Sequence, residues 1–526
     1  MREPLLTSGL CSLTMLLICC VEVGAVTLTE FLARDDQSWV ELHNETDSAV
    51  SLQGYQLVSS AETTLALNDV VLESGAYRVV EFALQRREGQ LSLTDGQGEV
   101  VSQFNYNNQR KGVSFGINQE GEKRFFIQPT PGQANDFGVV GFVADTKFSV
   151  DGGFYDSPFQ VVITCATEGA IIRYTLDGSE PGLFNVMTRH YTGPIPITTT
   201  TVLRASASRV AWHPTDLDTQ TYLFLKDVVK QPKQPEGFPT NWSNGAGVQR
   251  AVPAKVDYEM DPDVVEAFPV EDALTSIPTM SLVLSTAGLL DPETGLHALA
   301  RNKGAEWERR MSLEYFDESG MRQFQINGGY RMQGGWNRFP EHLKKSFRFY
   351  FRSEYGESKL RFPLFPDTPV QVFDTLILRS GNGKAWSSPW RPLTGRTNNS
   401  LERTTYLRDQ LARDLQRELG YPTSHGRFVH LYINGLYWGL YNLVERVDEW
   451  FGASYQGGDE DEFDVIKWIR SEGMVIAAGD ASIWQDLLDG LRNEAHTLES
   501  FQRAEALVDI DNFIDYMLIN FYLGNT

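Results

Sequence analysis

Cysteine is scarce in this chain. Only four of its 526 residues are cysteines, and three of them, Cys11, Cys19 and Cys20, lie within the first 20 residues. If that segment is removed from the mature protein, only Cys165 remains, which excludes an internal disulfide. Cys165 lies in the apolar run "FQVVITCA", a context that predicts an inert core thiol.

Motifs of several common enzyme classes are also missing from the sequence. The eight histidines show no HExxH or other metal-ligand spacing, and one cysteine cannot build a structural zinc site. The sequence contains no GxSxG motif, no P-loop and no carboxylate pair with a specific glycosidase pattern. We therefore predict no metal site from the sequence.

Positive charge is in deficit. The chain has 46 basic and 69 acidic residues, which gives a formal net charge of −23. The summed field of such a chain repels polyanions, so it argues against non-specific binding to nucleic acid or to anionic membranes. It suits a protein that binds cations, or local anions at dedicated sites.

Long apolar runs are limited to one short segment near the start. Arg2 precedes the apolar core "LTMLLICCV" (Leu13–Val21), and small residues follow up to Ala25. This pattern predicts a signal peptide over residues 1–25, with cleavage after Ala25 and a secreted or cell-surface location. A retained anchor is the alternative, and bulky residues before Cys19 and Cys20 disfavour a lipoprotein. The rest of the chain is expected to be soluble.

Length and turn spacing predict several domains, roughly three. Residues 26–137 alternate short β-rich runs with turns about every ten residues, a pattern typical of a β-sandwich. The stretch from "LTEFLARDD" to "PTPGQAN" resembles a lamin tail domain, which implies an immunoglobulin-like sandwich that serves as an accessory module. Glu30, Trp39, Glu41 and Asn44 carry the pattern, and we expect them to hold turns and core.

Residues 140–226 predict a second β-sandwich. "GAIIRYTLDGSEPG" is a strand that runs into an Asp-Gly turn, and "TTTTVLRA" is a Thr- and Val-rich strand. Together they resemble the C-terminal-like sandwich of chitobiases and hexosaminidases, a non-catalytic module. The Pro-, Gly- and Asn-rich segment after it predicts a linker or extended strap over residues 227–254.

Residues 255–526 predict an α+β region. β-like runs continue to about residue 380, and "TTYLRDQLARDLQRELG" then shows leucines at every fourth position, from Leu407 to Leu419, with Gly420 as the helix stop. A hairpin is expected around Asn434-Gly435, and "IDNFIDYMLINFYLG" predicts another helix. The expected fold is therefore multidomain: two immunoglobulin-like β-sandwiches, then an α+β atypical protein-kinase-like domain.

The kinase part of that expectation comes from a resemblance. "GGYRMQGGWNR", "KKSFRFYF", "HLYINGLYWGLYNLVERVD" and "IDNFIDYMLINFYLGN" resemble the CotH kinase family of atypical secreted or spore-coat kinases. The resemblance covers about residue 255 to the end. It implies ATP and Mg²⁺ as cofactors and a protein or cell-surface component as the acceptor, with no nucleic-acid partner and a membrane link only through the signal or anchor.

Five residues are candidates for holding the nucleotide. Phosphoryl transfer depends on holding and neutralising phosphates, to which glycine N–H groups, lysine amines and arginine forks are suited. The candidates are Arg331, Gly334, Gly335, Lys345 and Glu445, with Lys345 and Glu445 assigned by position in the family.

Two alternatives stay open for these assignments. Lys344 is the fallback for Lys345, and the alternating Lys and Arg residues could simply solvate an edge strand. Glu445 could instead pair with a basic group, or it could be a helix-start carboxylate.

Other polar residues favour structural roles. Arg408 with Asp409 predicts an ion pair, and Asp374, Arg379 and Asn382 are expected in a strand and turn. The acidic segment "GGDEDEF" (Gly457–Phe463) favours a solvated turn over a calcium loop. Three further aspartates are expected to cap or face the last helix: Asp509, Asp511 and Asp515. Asn44, Asn241 and Asn398 fit the N-glycosylation pattern, which matters only in a eukaryotic secretory route.

The catalytic residues are not identified by the sequence. The family places acidic residues just after the segment that here reads "YLGNT" and ends at Thr526, so the resemblance implies that the catalytic carboxylates lie beyond Thr526. It thus implies a C-terminally truncated chain that is inactive in this form. Activity as an enzyme is uncertain on this basis. The alternative function is a non-catalytic cell-surface adhesion or scaffold protein with a degenerate kinase-like domain.

Overall fold

The chain divides into two compact units. A computed structural model describes residues 25–34, 37–60, 63–242, 254–338, 344–381, 405–469, 473–493 and 497–524. The first unit spans residues up to 143 together with 208–214, and the second comprises 144–207 and 215–526. Most of the predicted second sandwich, all but residues 140–143 and 208–214, therefore lies in the same compact unit as the predicted last domain. Residues 1–24 of the predicted signal peptide, Asn398 and Thr526 lie outside the described residues.

The first unit is a β-sandwich. A five-stranded sheet in the order β11-β10-β1-β2-β7 and a four-stranded sheet in the order β5-β4-β8-β9 enclose a core that includes Leu28, Val40, Leu57 and Leu91. Its strands are β1 (Val26–Leu32), β2 (Trp39–Asn44), β3 (Val50–Ser51), β4 (Gln56–Ser59), β5 (Thr64–Ala66), β6 (Val71–Leu72), β7 (Tyr77–Glu81), β8 (Gly89–Thr94), β9 (Val100–Tyr106), β10 (Ser114–Ile117) and β11 (Lys123–Phe126).

The polar residues of the lamin-tail pattern hold turns in this sandwich. Glu30 is buried and accepts hydrogen bonds from Ser114 and from the backbone N–H of Thr130. Glu41 accepts one from the N–H of Gly132 at 2.6 Å. The Asn44 amide donates to three backbone carbonyls, at 2.8, 2.8 and 3.0 Å. The carboxylates of Glu30 and Glu41 thus bind the loop "PTPGQAN", as expected for residues that hold turns and core.

A second sandwich begins the second unit. Its main sheet has the order β13-β20-β19-β16-β17, and the pairs β12–β15 and β14–β18 lie beside it. Cys165 is half-buried and donates to the Ala144 carbonyl oxygen at 3.0 Å, so it lies at the border of the core. The elements are β12 (Thr146–Phe148), β13 (Gly153–Phe154), β14 (Phe159–Val161), β15 (Ile163–Cys165), β16 (Ile171–Thr175), β17 (Arg189–His190), β18 (Ile195–Ile197), β19 (Thr201–Ser208), β20 (Asp218–Leu223) and α1 (Leu225–Val228).

The remaining described part of the chain is organised around a closed barrel of seven strands, and helices follow it. The elements are β21 (Asn241–Trp242), β22 (Ala254–Lys255), α2 (Pro262–Ala267), α3 (Val270–Thr275), β23 (Thr279–Leu284), α4 (Thr286–Leu290), β24 (Arg309–Phe316), β25 (Arg322–Gln333), β26 (Ser346–Tyr350), β27 (Leu360–Arg361), β28 (Val372–Phe373), β29 (Thr375–Arg379), α5 (Arg408–Glu418), β30 (Gly426–Ile433), β31 (Leu436–Glu445), α6 (Glu449–Gln456), β32 (Val465–Ile469), β33 (Gly473–Ala478), α7 (Ser482–Asn493), α8 (Leu498–Glu505) and α9 (Ile510–Tyr522).

The barrel has the strand order β23-β24-β25-β26-β29-β31-β30 and closes through parallel pairing of β30 with β23. Because side chains alternate across a strand, each strand sends one set of residues into the barrel. One fully buried residue from each strand illustrates this: Leu282, Leu313, Tyr330, Phe349, Leu376, Leu431 and Leu443. The sequence predicted the strands before residue 380 but not the closure.

The hairpin between β30 and β31 turns at the predicted Asn434-Gly435 pair. Both residues have positive φ, 50° and 79°, which matches a type I′ turn. The Asn434 side chain accepts from the N–H of Leu284 and donates to its carbonyl, each at 2.9 Å. The turn therefore also attaches this hairpin to the end of β23, where the barrel closes.

The predicted helices form at α5 and α9, but the leucine stripe of the first is not buried. Leu407 and Leu411 are 56% and 45% exposed. Helical periodicity predicted the helix correctly, whereas burial depends on what packs against it. None of the described helices is long and apolar enough to cross a membrane.

A buried carboxylate joins the second sandwich to the barrel. Glu314 on β24 is fully buried and accepts from the N–H of Thr221 on β20 at 3.1 Å and from the Thr221 hydroxyl. The hydroxyl of Ser281 lies 2.7 Å from that of Thr221, and Arg322 lies 3.7 Å from the carboxylate. Burial raises the pKa of Glu314 to about 7, because the charged form loses its hydration.

We predict that Glu314→Gln flattens the pH dependence of stability. In the folded chain Glu314 keeps its proton up to about pH 7, whereas the unfolded chain releases it near 4.5. Unfolding therefore releases a proton between these values, and the stability of the wild type falls as pH rises through this window. The variant should be more stable at pH 8 by about 3 kcal/mol at most.

Urea unfolding at a series of pH values measures this effect. Glu293→Gln, at an exposed position in the same unit, is the matched control and should leave the wild-type slope unchanged. An unaltered slope in Glu314→Gln would contradict the assignment.

Candidate functional site

Two lysines lie at one end of the barrel, just before β26. Phe347 and Phe349 point into the barrel. Lys345 lies two residues before Phe347, on the same side of the chain, and is only 2% exposed. The Tyr441 hydroxyl on β31 donates to the Lys345 carbonyl oxygen at 3.1 Å. The predicted phosphate-binding lysine is therefore a buried residue at the barrel end and not part of a solvated strand face.

The neighbouring lysine, Lys344, is held by tyrosines. Its amine donates to the Tyr406 hydroxyl at 2.9 Å and to the Leu440 carbonyl, and it lies 4.5 Å from the centre of the Tyr441 ring. Burial lowers the pKa of Lys344 to about 7, since the ammonium form is poorly hydrated there. An anion beside this amine would favour its charged form.

The predicted glycine bend borders the same end of the barrel. Gln333 and Ser346 form the last pair of β25 and β26, so Gly334 and Gly335 leave β25 at the end of the barrel where the two lysines enter β26. Gly334 has φ of 100°, and a Cβ there would lie 2.1 Å from Oδ1 of Asn337, so a side chain is excluded. The Asn337 amide donates to the Ser346 hydroxyl at 2.7 Å. Both glycines are exposed, which leaves their backbone open to a ligand.

Arg331 lies on the outer wall of the barrel. It pairs directly opposite Arg348, and its guanidinium contacts Glu308 at 2.7 and 2.8 Å. Lys345 instead shares the alternation of the inward-pointing phenylalanines. The structure therefore does not bring Arg331 together with the buried lysine, and its predicted nucleotide contact stays a prediction.

Glu445 lies farther along β31, four residues beyond Tyr441, which is about 13 Å along an extended strand. It is buried and hydrogen-bonded within the protein. Oε2 accepts from the backbone N–H of His425 and lies 2.8 Å from its Nδ1, and Oε1 accepts from the Tyr455 hydroxyl at 2.8 Å. Its predicted nucleotide contact stays a prediction. Since Glu445 ends a strand, the helix-start alternative is wrong.

The sequence analysis missed several of these residues. Tyr406, Ser346 and Asn337 complete the barrel end, and His425 with Tyr455 surrounds Glu445. None carries a recognisable spacing, because each meets its partner through tertiary contacts between different elements. Tyr406 has a positive φ of 61°, an uncommon value for a bulky residue, but the sequence gives no sign of it.

The other polar residues singled out in the sequence lie in ion pairs or partly buried positions, or outside the described residues. The predicted Arg408–Asp409 ion pair is wrong, because Asp409 pairs with Arg379 and Arg413, each at 3.1 Å. Asp374 is half-buried, and burial, with a contribution from Asp448, raises its pKa to about 6. Asn382 lies outside the described residues.

The acidic positions near the end are turns and caps. The segment Gly457–Phe463 contains the exposed 3₁₀ turn Glu460–Glu462, as favoured by the sequence. Asp509 caps α9 by accepting from the N–H of Asn512 at 2.9 Å, and Asp515 accepts from Tyr421. Within the described ranges no group of three or more His, Cys, Asp or Glu residues is arranged to hold a metal ion.

The catalytic carboxylates stay unassigned. They were expected beyond Thr526, and Thr526 itself lies outside the described residues, the last of which is Gly524. At the last described helix, Asp509 is the helix cap and Asp515 accepts a hydrogen bond from Tyr421. The location of the catalytic residues and the inactivity of this form therefore stay predictions.

The fold defines a multidomain β-rich protein with two sandwiches and an α+β C-terminal region. Residues 397–526 match the sequence model of the family described as CotH kinase protein. Residues 150–216 match the chitobiase/beta-hexosaminidase C-terminal domain. The C-terminal 130 residues are thus similar to a CotH kinase domain and residues 150–216 to a chitobiase-type sandwich, which supports both resemblances over these ranges. The candidate residues Arg331, Gly334, Gly335 and Lys345 lie before the matched range.

Other comparisons add little. A solved structure titled "Structures of Clostridium thermocellum CbhA fibronectin(III)-like modules" is similar over 38% of this chain and 93% of that chain, at 6% identity and a TM-score of 0.15. That score is too low to assign a fold. No curated protein sequence matches the chain.

We predict that Lys344→Met removes a pH-dependent destabilisation of the folded state. The folded wild type loses the Lys344 proton near pH 7, whereas an unfolded lysine keeps it to about 10.5. Unfolding then takes up a proton, so wild-type stability rises with pH across this window. Between pH 7 and pH 9 the advantage of the variant should shrink by about 2 kcal/mol. Denaturant unfolding measures it, with exposed Lys226→Met as the control. A constant difference would refute the assignment.

We also predict that Glu445→Gln destabilises the fold by about 1–3 kcal/mol, because the buried His425 and the half-buried Tyr455 lose a carboxylate partner. Thermal unfolding measures the loss, and Glu460→Gln at an exposed turn should change stability by less than about 0.5 kcal/mol. Equal stabilities would show that this network contributes nothing.

Proposed function

We propose that the protein is an exported CotH-type atypical kinase that transfers the terminal phosphate of ATP to a protein or cell-surface component. The observation that carries this proposal is the match of residues 397–526 to the CotH kinase family. The secreted or cell-surface location belongs to the same proposal and rests on the signal-like pattern of the first 25 residues.

The barrel end suits the phosphate tail of a nucleotide. The amine of Lys345 is buried, and that of Lys344 is desolvated enough to lower its pKa. Phosphate oxygens beside these amines would restore the solvation of the ammonium form that burial removes. The exposed Gly334–Gly335 backbone leaves β25 at the same end of the barrel and offers N–H groups that can donate to an anion.

ATP would supply the phosphoryl group, and these residues would bind and orient it. Lys345 would neutralise part of the phosphate charge, and Gly334 would allow close backbone approach because it lacks a Cβ. The described residues do not fit a Mg²⁺ site, so we assign no step to a metal.

A non-catalytic scaffold function is the second candidate. It is favoured by the two sandwich modules, which make up most of the first half of the chain. The two functions differ in one measurable property, since a scaffold with a degenerate domain has no need of ATP.

We predict that ATP with Mg²⁺ raises the thermal unfolding temperature of the wild type and that Lys345→Met abolishes the shift. Ligand at 100 times its Kd stabilises by about 2.7 kcal/mol, which is readily detected. Arg492→Gln, at an exposed position on α7, should behave as the wild type. An unshifted wild type favours the scaffold, and equal shifts in wild type and Lys345→Met would sink the role of this lysine. Phosphate transfer to candidate acceptors then tests catalysis directly.

A further inference from the structure

Three arginines surround one tyrosine on the outer wall of the barrel. The guanidinium carbons of Arg331 and Arg348 each lie 4.4 Å from the centre of the Tyr350 ring, and that of Arg352 lies 4.9 Å from it. We call these four residues the arginine cluster. Stacking on an aromatic ring is a favourable arrangement for guanidinium groups, but it leaves their positive charges close together.

The strands themselves impose this proximity. Arg348 and Tyr350 lie on the face of β26 opposite to the inward-pointing phenylalanines, and Arg352 continues the alternation just beyond the strand. Arg331 on β25 pairs directly opposite Arg348. Like charges at directly opposed positions of a sheet are destabilising, so this pairing calls for compensation by an anion.

The protein supplies only part of that compensation. Glu308 contacts Arg331 at 2.7 Å, Arg352 at 3.4 Å and the Tyr355 hydroxyl at 3.0 Å. Across the part of the chain that the structure describes, Arg348 has no carboxylate within ion-pair distance, and its buried Nε has no hydrogen-bond partner. Among the described residues, two of the three guanidinium groups thus share one carboxylate and the third has none, in a protein whose formal net charge is −23.

We infer that the arginine cluster is a binding site for a tetrahedral oxyanion, such as a phosphate or sulfate group. Planar guanidinium groups bind such groups through paired N–H donors. The Arg352 side chain is 42% exposed and the Arg331 side chain 20%, so an anion has access from solvent. The site lies on the outer wall, separate from the buried lysines, and does not rest on the proposed kinase function.

The ligand could be free inorganic phosphate or a phosphate or sulfate group carried on a polymer, because both present the same oxygens. Polymers would gain from several groups binding at once, whereas a single free ion would bind weakly. Titration of the full chain with inorganic phosphate, tripolyphosphate and a sulfated polysaccharide separates these sources. Isothermal titration calorimetry in low salt measures the affinities.

Arg348→Gln and Arg352→Gln test the site, and Arg492→Gln is the matched control. We expect at least one probe to bind the wild type, tenfold or more weaker binding in both cluster variants, and unchanged binding in the control. Arg352 is partly exposed, so its variant stays informative if Arg348→Gln fails to fold. A repeat with Lys345→Met, which removes the amine proposed to bind the nucleotide, should leave the affinity unchanged.

Three results would overturn the inference. They are no binding of any probe to the wild type, equal affinity in the wild type and Arg352→Gln, and loss of binding in Lys345→Met. The last result would place the anion at the nucleotide site instead. The proposed function can fail without affecting this test, because the probes contain no nucleoside.

Discussion

Closure of the seven-stranded barrel is the constraint on which the C-terminal region depends. Every barrel strand pairs on both sides, so each side chain faces either the packed interior or the outer wall. The basic segment from Gly328 to Phe351 is divided by this rule. Lys345 shares the inward alternation of Phe347, whereas Arg348 shares the outer wall with Arg331. One stretch of sequence thereby supplies residues to two separate candidate anion-binding sites.

Desolvation has the same effect on groups of opposite charge. Glu314 at the sandwich–barrel junction and Lys344 at the barrel end are both shifted toward their neutral forms, because neither finds enough compensating charge where it is buried. Glu314 nevertheless gains fixed hydrogen bonds to Thr221. The second sandwich is therefore part of the packing of the barrel and not a freely tethered accessory, which also explains why both belong to one compact unit.

Much of the fold could be predicted from the sequence where the signal is local. Alternating apolar residues predicted β26, the Asn434-Gly435 pair predicted its hairpin, and leucine periodicity predicted α5. The exposure of Leu407 and the pairing of Asp409 could not be predicted, since both depend on residues distant in the chain. At the candidate site, the glycines and lysines were identified, whereas Tyr406 and His425 were not, because no spacing connects them to their partners.

By itself, the sequence determined the sandwiches, the α+β C-terminal region and the family resemblances, because these follow from periodicity, turn residues and local motifs. Only the tertiary structure decided that β30 pairs with β23 to close a barrel, that Lys345 is buried while Arg331 lies outside, and that Glu445 contacts His425. The physical reason is that burial and strand register depend on contacts between distant segments, which a local pattern does not specify.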